Sequence, residues 1–199
     1  MASLRLGLFS DVLGLPKRAI GLAKWAQGNV DAQTASPQPP SLDPGHPYQA
    51  SFQAQHAWTR TQVDASILRA LGELPHQYRL ETPAGDLLVV HASPRGLDDR
   101  CGAPHNTAAE VSAAYDGTGA SAIAFGHWHQ HFVRPTPFGL LINVASVSIP
   151  LDRQALAACT ILTGTAEGWI VEQHRVPYDP SQESAAARSH GLPAWRQGP

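Results

Sequence analysis

Several features that mark specialised protein classes are scarce in this sequence of 199 residues. Two cysteines, Cys101 and Cys159, are too few for a disulfide framework, and they lack the CxxC spacing of a zinc or redox site. No apolar run reaches the roughly 18 residues that a membrane helix needs. The short apolar start lacks a basic region followed by a cleavage site, so no signal peptide is expected. We therefore expect a cytoplasmic protein with no membrane partner.

Charge is also sparse. Charged residues are 15% of the chain, the formal net charge is −2, and lysine occurs only at Lys17 and Lys24. Because there is no basic excess to neutralise phosphates, the composition disfavours a specific nucleic-acid partner. The hydrophobic fraction of 43% excludes wholesale disorder. With 17 glycines and 17 prolines, the chain is typical of a loop-rich enzyme domain rather than a helical bundle.

The hydrophobic pattern predicts one α/β domain over residues 1–178 and a tail over residues 179–199 that holds a short helix. Residues 35–48 are a proline-rich loop. Thr107 and Glu110 have the spacing of a capping box, which predicts a helix that begins there and runs to Tyr115. The other predicted helices are 16–27, stopped by Gly28-Asn29, and 59–74; the predicted strands are 4–9, 78–81, 86–90, 120–125, 132–134, 140–144, 155–162 and 169–176.

Polar side chains able to bind metal ions directly follow several of the predicted strands. Ligands bind at the carboxyl ends of strands in α/β sheets, so we expect these side chains to converge. Asp, Asn and His suit Mn, Fe or Zn better than a site that requires thiolates. Two such ions about 3.5–4 Å apart can clamp a phosphate and activate a water between them. These strand-end residues are Asp11, His91, His127, His129 and Asn143, and Asn29, which follows the first predicted helix, is a further polar candidate.

Each of these residues also has a simpler structural interpretation. A strand-end histidine such as His91 is, by itself, typical of a hydrogen-bonded structural residue, and the asparagines are typical of turns. His127, His129 and His131 are a stronger signal, because alternate residues of an extended segment face the same way. The joint occurrence of these residues is what predicts a metal centre.

Four segments resemble motifs of the calcineurin-like metallophosphoesterases, in the same order and at similar spacing. LLVVHASP is similar to the VHG motif of that family, and AIAFGHWHQHFV is similar to the GHTH motif. LLINVASVSIP resembles the NPGSVG turn, and GNVD at Gly28–Asp31 resembles the GNHD motif. The resemblance extends over roughly residues 5–180, and the GHWH segment with its strand is the most specific part of it.

The resemblance implies two packed mixed β-sheets flanked by helices, and hydrolysis of a phosphomonoester or phosphodiester by a metal-activated water. The implied cofactors are divalent ions, Mn, Fe or Zn, two of them in the family and one well-bound ion here. The implied substrate is a small phosphorylated molecule, whose phosphate Arg95 is placed to meet. His129 would bind one ion, and Asp11 would be a bridging or terminal ligand. The ligands implied for the other ion are Asn29, His91 and His127.

The sequence departs from the family pattern in two places. The family has a DxH motif and a GD motif, whereas this chain has a single such place, at Asp11. If the segment around Asp11 is aligned with the DxH motif, Leu13 replaces the ligand histidine. If it is aligned with the GD motif, the family's first strand and helix are missing. With either alignment the chain is short by about one strand-helix unit. Val30 stands where the family has a histidine that protonates the leaving group or stabilises the phosphate, and loss of a general acid typically costs about 10²–10⁴ in rate.

Three functions are compatible with these residues. The leading one is a metal-dependent phosphoesterase with an impaired catalytic centre. The first alternative is a catalytically inactive family remnant that binds metal or phosphate or acts as a scaffold. The second is a single-metal hydrolase of another fold, built on residues 127–131. A missing strand would leave a sheet edge unpaired, which predicts self-association.

Overall fold

A computed structural model describes residues 3–8, 24–42, 45–154 and 156–193 of the chain. It divides into two compact units. The strand unit comprises residues 1–28 and 75–178, and the helical unit comprises residues 29–74 and 179–199.

A five-stranded mixed sheet forms the larger layer of the strand unit. Its three middle strands run parallel, and one antiparallel strand lies at each edge. The spatial order is β2-β3-β4-β6-β5. These strands are β2 (Gln77–Leu80), β3 (Leu87–Val90), β4 (Ala122–Phe125), β5 (His131–Thr136) and β6 (Gly139–Val144).

A second, antiparallel sheet of three strands packs against the first. It contains β1 (Leu4–Leu8), β7 (Leu156–Thr165) and β8 (Gly168–Pro177), in the order β1-β7-β8. Ala122 and Ala124 of β4 share one buried cluster with Leu162 of β7, so this cluster is the core between the sheets. The sequence prediction of two packed sheets is confirmed; the five-stranded sheet is mixed, as predicted, whereas the three-stranded sheet is wholly antiparallel.

Helix α4 (Ala108–Tyr115) covers the other face of the five-stranded sheet. Ile123 and Phe125 point to this face, where Tyr115 is fully buried and donates a hydrogen bond to the carbonyl oxygen of Ala92. Because β4 is buried on both faces, its sequence is a continuous apolar run rather than an alternating one. The predicted capping box is present, since Glu110 and Thr107 bond each other's backbone N–H groups.

The helical unit contains four helices, α1 (Asn29–Ala35), α2 (Gln49–Gln62), α3 (Ala65–Gly72) and α5 (Pro180–Ser189). The carboxyl end of α1 would leave carbonyl groups without partners inside the helix. Arg60 of α2 donates to the carbonyl oxygens of residues 34, 35 and 36, which satisfies them. None of the helices in the described part of the chain has the length and apolar character of a membrane span.

The eight predicted strands correspond to β1–β8, but two helix predictions are wrong. The helix predicted to reach Gln27 is absent from residues 24–28, where the N–H of Gln27 donates to the carbonyl oxygen of Pro75 instead. The predicted stop at Gly28-Asn29 is the start of α1, whose first turn contains Asp31 at the favourable end of the helix dipole. Residues 16–23 of that prediction lie outside the described residues.

The single helix predicted over residues 59–74 is two helices. Val63 and Asp64 are both extended and separate α2 from α3. Asp64 is the N-cap residue of α3, a position that aspartate favours over a helix interior, although its side chain makes no capping hydrogen bond here. Helix α2 also starts ten residues before the prediction, at Gln49, because its first half carries too few apolar residues to produce a visible stripe.

Candidate metal centre

His91 and His127 meet at the carboxyl edge of the parallel strands. His91 directly follows β3, and Gly126-His127 directly follows the neighbouring strand β4. The N–H of Gly126 donates to the carbonyl oxygen of His91, which continues the pairing one step beyond the strands. As a result, Nε2 of His91 lies 3.3 Å from Nδ1 of His127. The expected convergence of strand-end residues is present for this pair.

The separation of these two nitrogen atoms is that of a hydrogen bond between the rings, and it also fits a metal ion that both rings bind. Two imidazoles bound tetrahedrally at 2.0–2.1 Å place their ligating nitrogens about 3.3–3.4 Å apart. Among the described residues, no group of three His, Cys, Asp or Glu side chains is arranged to hold an ion. The histidine pair is therefore a partial donor set, which further oxygen or nitrogen ligands would have to complete.

The segment after β4 is a strained turn and not the extended run that the sequence predicts. His127 and His129 both have positive φ angles, 63° and 54°, in the left-handed region that non-glycine residues rarely adopt. The N–H of Trp128 donates to the carbonyl oxygen of Gly126, which closes a three-residue turn centred on His127. The interpretation of residues 127, 129 and 131 as alternate positions on one strand is wrong. Backbone strain of this kind clusters at functional sites.

His129 is oriented by the loop that follows β6. Its Nδ1 lies 2.6 Å from the carbonyl oxygen of Ile149, and its own carbonyl oxygen accepts from the N–H of Leu151. A carbonyl oxygen can only accept, so Nδ1 carries a proton, and in the neutral imidazole the lone pair is then on Nε2. Metal-binding histidines commonly donate their second N–H to a carbonyl group in this way. His129 is therefore in the tautomer that a metal ligand binding through Nε2 needs.

The loop after β6, which orients His129, makes side-chain contacts with β8 and with Tyr178, the residue that follows β8. Arg175 forms an ion pair with Asp152, and both side chains are mostly buried. The hydroxyl of Tyr178 donates to the carbonyl oxygen of Ser148. Burial lowers the pKa of the Arg175 guanidinium. These contacts connect the second sheet to His129.

Asn143 is completely buried in β6 and has a positioning role that its strand-end location alone did not reveal. Its Nδ2 donates to the carbonyl oxygen of Gly126, and its Oδ1 accepts from the N–H of Ala145. Its own carbonyl oxygen accepts from Nε2 of Gln173 in β8. The sequence signal for this role is a polar residue inside an otherwise apolar strand. Buried polar side chains are nearly always hydrogen-bonded, so such a residue is expected to have partners in the interior.

His131 lies between the two sheets. Its Nε2 is 3.4 Å from Oγ1 of Thr160, which is fully buried in β7. Burial, with a smaller contribution from the charge of Arg175, lowers the pKa of His131 to about 4. This histidine is thus neutral at physiological pH and contributes to the interior of the sandwich.

Arg95, the candidate phosphate contact, forms a bidentate ion pair with Asp99. Its Nε and one terminal nitrogen lie 2.8 and 2.9 Å from the two carboxylate oxygens. Asp99 also accepts from the hydroxyl of Ser93 and from the N–H of Cys101. The hydrogen bond from Arg95 holds the pKa of this carboxyl well below its usual range. The pair organises residues 93–101, the loop after His91, beside a cavity of about 220 Å³ that Arg95 lines.

The described part of the strand unit does not test the two remaining predicted ligands, Asn29 and Asp11. Asn29 is the first residue of α1 and belongs to the helical unit. Asp11 lies outside the described residues, as does Leu13. Their roles as ligands, and the expected loss of one strand-helix unit, stay predictions.

Comparison with solved structures identifies the fold. The crystal structure of hypothetical protein PH1004 from Pyrococcus horikoshii OT3 matches with a TM-score of 0.72 at 18% identity, over 88% of this chain and 71% of that one. A metallophosphoesterase from Sphaerobacter thermophilus matches with a TM-score of 0.59 at 24% identity, over 84% of this chain and 71% of that one. No family model and no curated protein matches the sequence. The chain therefore has the calcineurin-like metallophosphoesterase fold.

Proposed function

We propose that this protein is a metal-dependent phosphoesterase that hydrolyses a phosphomonoester or a phosphodiester. The observation that carries the proposal is the 3.3 Å approach of His91 and His127 at the carboxyl ends of two parallel strands. The fold supports it, because the Sphaerobacter thermophilus protein of the same fold is a metallophosphoesterase.

The proposal assigns a separate task to each residue of the site. His91 and His127 hold one divalent ion through Nε2 and Nδ1, and His129 presents Nε2 to a second ion. Asp11 and Asn29 complete the donor set. Such ions, when bound, neutralise phosphate oxygens and lower the pKa of water. Imidazole, carboxylate and amide donors favour Mn, Fe or Zn.

In this proposal Arg95, in the loop that follows His91, contacts a phosphate group of the substrate. Its guanidinium group is about half exposed, so part of it faces solvent while Asp99 orients it. A guanidinium held by a carboxylate in this way is preorganised. Its terminal nitrogens also lie 3.1 Å from Sγ of Cys101 and 3.5 Å from the carbonyl oxygen of Ala113, so among the described residues one of the five N–H groups is left to donate to a phosphate oxygen.

The test compares His91→Ala with His131→Ala in the full-length protein. After purification with Mn²⁺ and dialysis, bound metal is measured by elemental analysis, and hydrolysis is measured with an aryl phosphomonoester and an aryl phosphodiester. We expect His91→Ala to lower metal content and to reduce turnover at least a hundredfold. His131→Ala should retain both, because His131 lies between the sheets.

The other outcomes separate the alternatives. Metal loss in His131→Ala but not in His91→Ala would support the single-metal hydrolase. Metal binding that depends on His91, with no turnover of either ester, would indicate an inactive metal-binding protein. Turnover that is equal in the wild type and in both variants would refute the proposed site.

A further inference from the structure

Strand β8 lies at the edge of the three-stranded sheet. It pairs with β7 over its whole length, from Gly168 to Pro177, and within the described residues it has no second neighbouring strand. In an antiparallel ladder, alternate residues bond to one neighbour, so the other N–H and C=O groups of β8 point away from β7. An unpaired row of this kind is a template for another strand.

The outward side chains of β8 alternate in a pattern that suits pairing. Ile170 and Val176 are 56% and 52% exposed, which is unusual for large apolar residues of a sheet. Glu172 and His174 lie between them on the same face. The stretch 170–176 contains no lysine, proline or glycine, the residues with which natural proteins commonly protect a sheet edge.

We propose that β8 pairs in antiparallel orientation with β8 of a second copy of this chain, about a two-fold axis at Gln173. This register places Ile170 opposite Val176 of the partner subunit, so that two exposed apolar side chains cover each other. It also places Glu172 opposite His174 of the partner subunit. Both contacts occur twice, because the pairing is symmetric. Pairing of residues 170–176 in the two copies then joins their three-stranded sheets into one continuous six-stranded sheet.

Charge selects this register over its neighbours. Side chains must stay on their own face of the sheet, so the alternatives shift the two-fold axis to Glu172 or to His174. An axis at Glu172 places that carboxylate opposite its own copy, and like charges directly opposite are destabilising. An axis at His174 places Glu172 opposite an apolar valine. On the outward face, the register centred on Gln173 matches apolar side chains with apolar ones and places the carboxylate of Glu172 opposite an imidazole.

The small area of the β8–β8 contact determines how tightly the two copies are expected to associate. A ribbon of seven residues buries less than the roughly 1,600 Å² of a standard stable interface. We therefore expect a reversible dimer with a dissociation constant on the order of 10⁻⁵ M.

The test is sedimentation velocity of the full-length protein between about 5 and 500 µM, a range that brackets this constant. The weight-average mass should rise from the monomer mass of 21.2 kDa towards twice that value. Glu172→Arg and Ile170→Arg should each weaken dimerisation at least tenfold. Adding His174→Glu to Glu172→Arg places a carboxylate opposite the new arginine of the partner subunit and should restore dimerisation.

Two control variants separate pairing from other effects. Arg5→Met removes the ion pair that Glu172 makes with Arg5 of its own chain, at 3.2 Å, without reversing the charge at the edge, and should leave the dimer intact. Ile67→Arg changes an apolar residue that is 44% exposed on α3 and should have no effect. Circular dichroism checks that each variant is folded.

Three results would overturn the proposal. One is a protein that stays monomeric up to 500 µM. Another is a dimer that persists in both Glu172→Arg and Ile170→Arg. The third is a failure of His174→Glu to rescue Glu172→Arg, which would exclude this register.

Discussion

The side-chain amide of Asn143 donates a hydrogen bond of 2.7 Å to the carbonyl oxygen of Gly126. That carbonyl group also closes the strained turn around His127, because it accepts from the N–H of Trp128. A fully buried side chain in β6 therefore fixes the turn that carries a candidate metal ligand at the end of β4. Its second bond, from the N–H of Ala145, joins the same side chain to the loop that orients His129.

The first prediction concerns this residue. Asn143→Ala removes both bonds and leaves the N–H of Ala145 buried without its acceptor, so the free energy of unfolding should fall by about 2–3 kcal/mol. Affinity for Mn²⁺ should fall by about 10–100-fold, as for other residues that orient metal ligands. Chemical denaturation measures the first effect, and isothermal titration calorimetry measures the second.

Asn106→Ala is the matched control for this variant. Oδ1 of Asn106 also accepts a backbone N–H, from Ala103, but in the loop before α4. We expect it to lose some stability while the affinity for Mn²⁺ stays unchanged. Equal loss of affinity in both variants would show that Asn143 acts through general stability.

A second prediction concerns the ion pair that organises the loop after His91. The Asp99 side chain is 9% exposed and accepts from Arg95, Ser93 and Cys101. Asp99→Asn weakens this network and should lower the free energy of unfolding by about 1–3 kcal/mol at pH 7. Urea titration of the wild type and of the variant gives the difference.

The pH dependence of that difference follows from the depressed pKa of Asp99. A carboxyl whose pKa is lower in the folded state stabilises the fold above its unfolded pKa of about 3.9, and loses this effect as the pH falls further. The stability gap between wild type and Asp99→Asn should therefore be constant from pH 7 to about pH 5 and should narrow below about pH 4. A gap that widens on acidification would contradict the assigned ion pair.

A third prediction rests on the proposed function and on Val30. This residue is the second of α1 and is 57% exposed, so a larger polar side chain can be accommodated there. Val30→His supplies the side chain that related motifs use as general acid, and kcat should rise at least tenfold, since this role is typically worth about 10²–10⁴. Steady-state hydrolysis of an aryl phosphodiester measures it.

The control variant for the expected rise in kcat is Val133→His, which changes a residue of β5 that is 38% exposed. That variant should leave kcat unchanged, and both variants should keep the stability of the wild type within about 0.5 kcal/mol. An unchanged kcat in Val30→His would mean that Val30 does not occupy the position of the general acid.

The strands and α4 could be predicted because their signals are local. The apolar run of β4 and the turn residues between β2 and β3 act within a few positions, and so does the capping box of Thr107 and Glu110. Helices α1 and α2 were missed or misplaced because their stability does not come from a clear apolar stripe.

The candidate residues at the strand ends could likewise be selected from the sequence alone. The resemblance of residues 87–94, 122–133 and 140–150 to family motifs implied the sandwich fold, and the positions of His91, His127 and His129 after predicted strands made them candidate ligands. Parallel strands bring residues that follow them to one edge, so this convergence needs no side-chain detail.

The tertiary structure decided how these residues are held. The 3.3 Å approach of His91 and His127 depends on the register between β3 and β4, and the tautomer of His129 depends on a carbonyl group 20 residues away. The burial of Asn143 requires both sheets to be in place, since β8 contributes the bond to its carbonyl oxygen. Such distances depend on packing between segments remote in the chain, and sequence patterns report only what lies within a few residues.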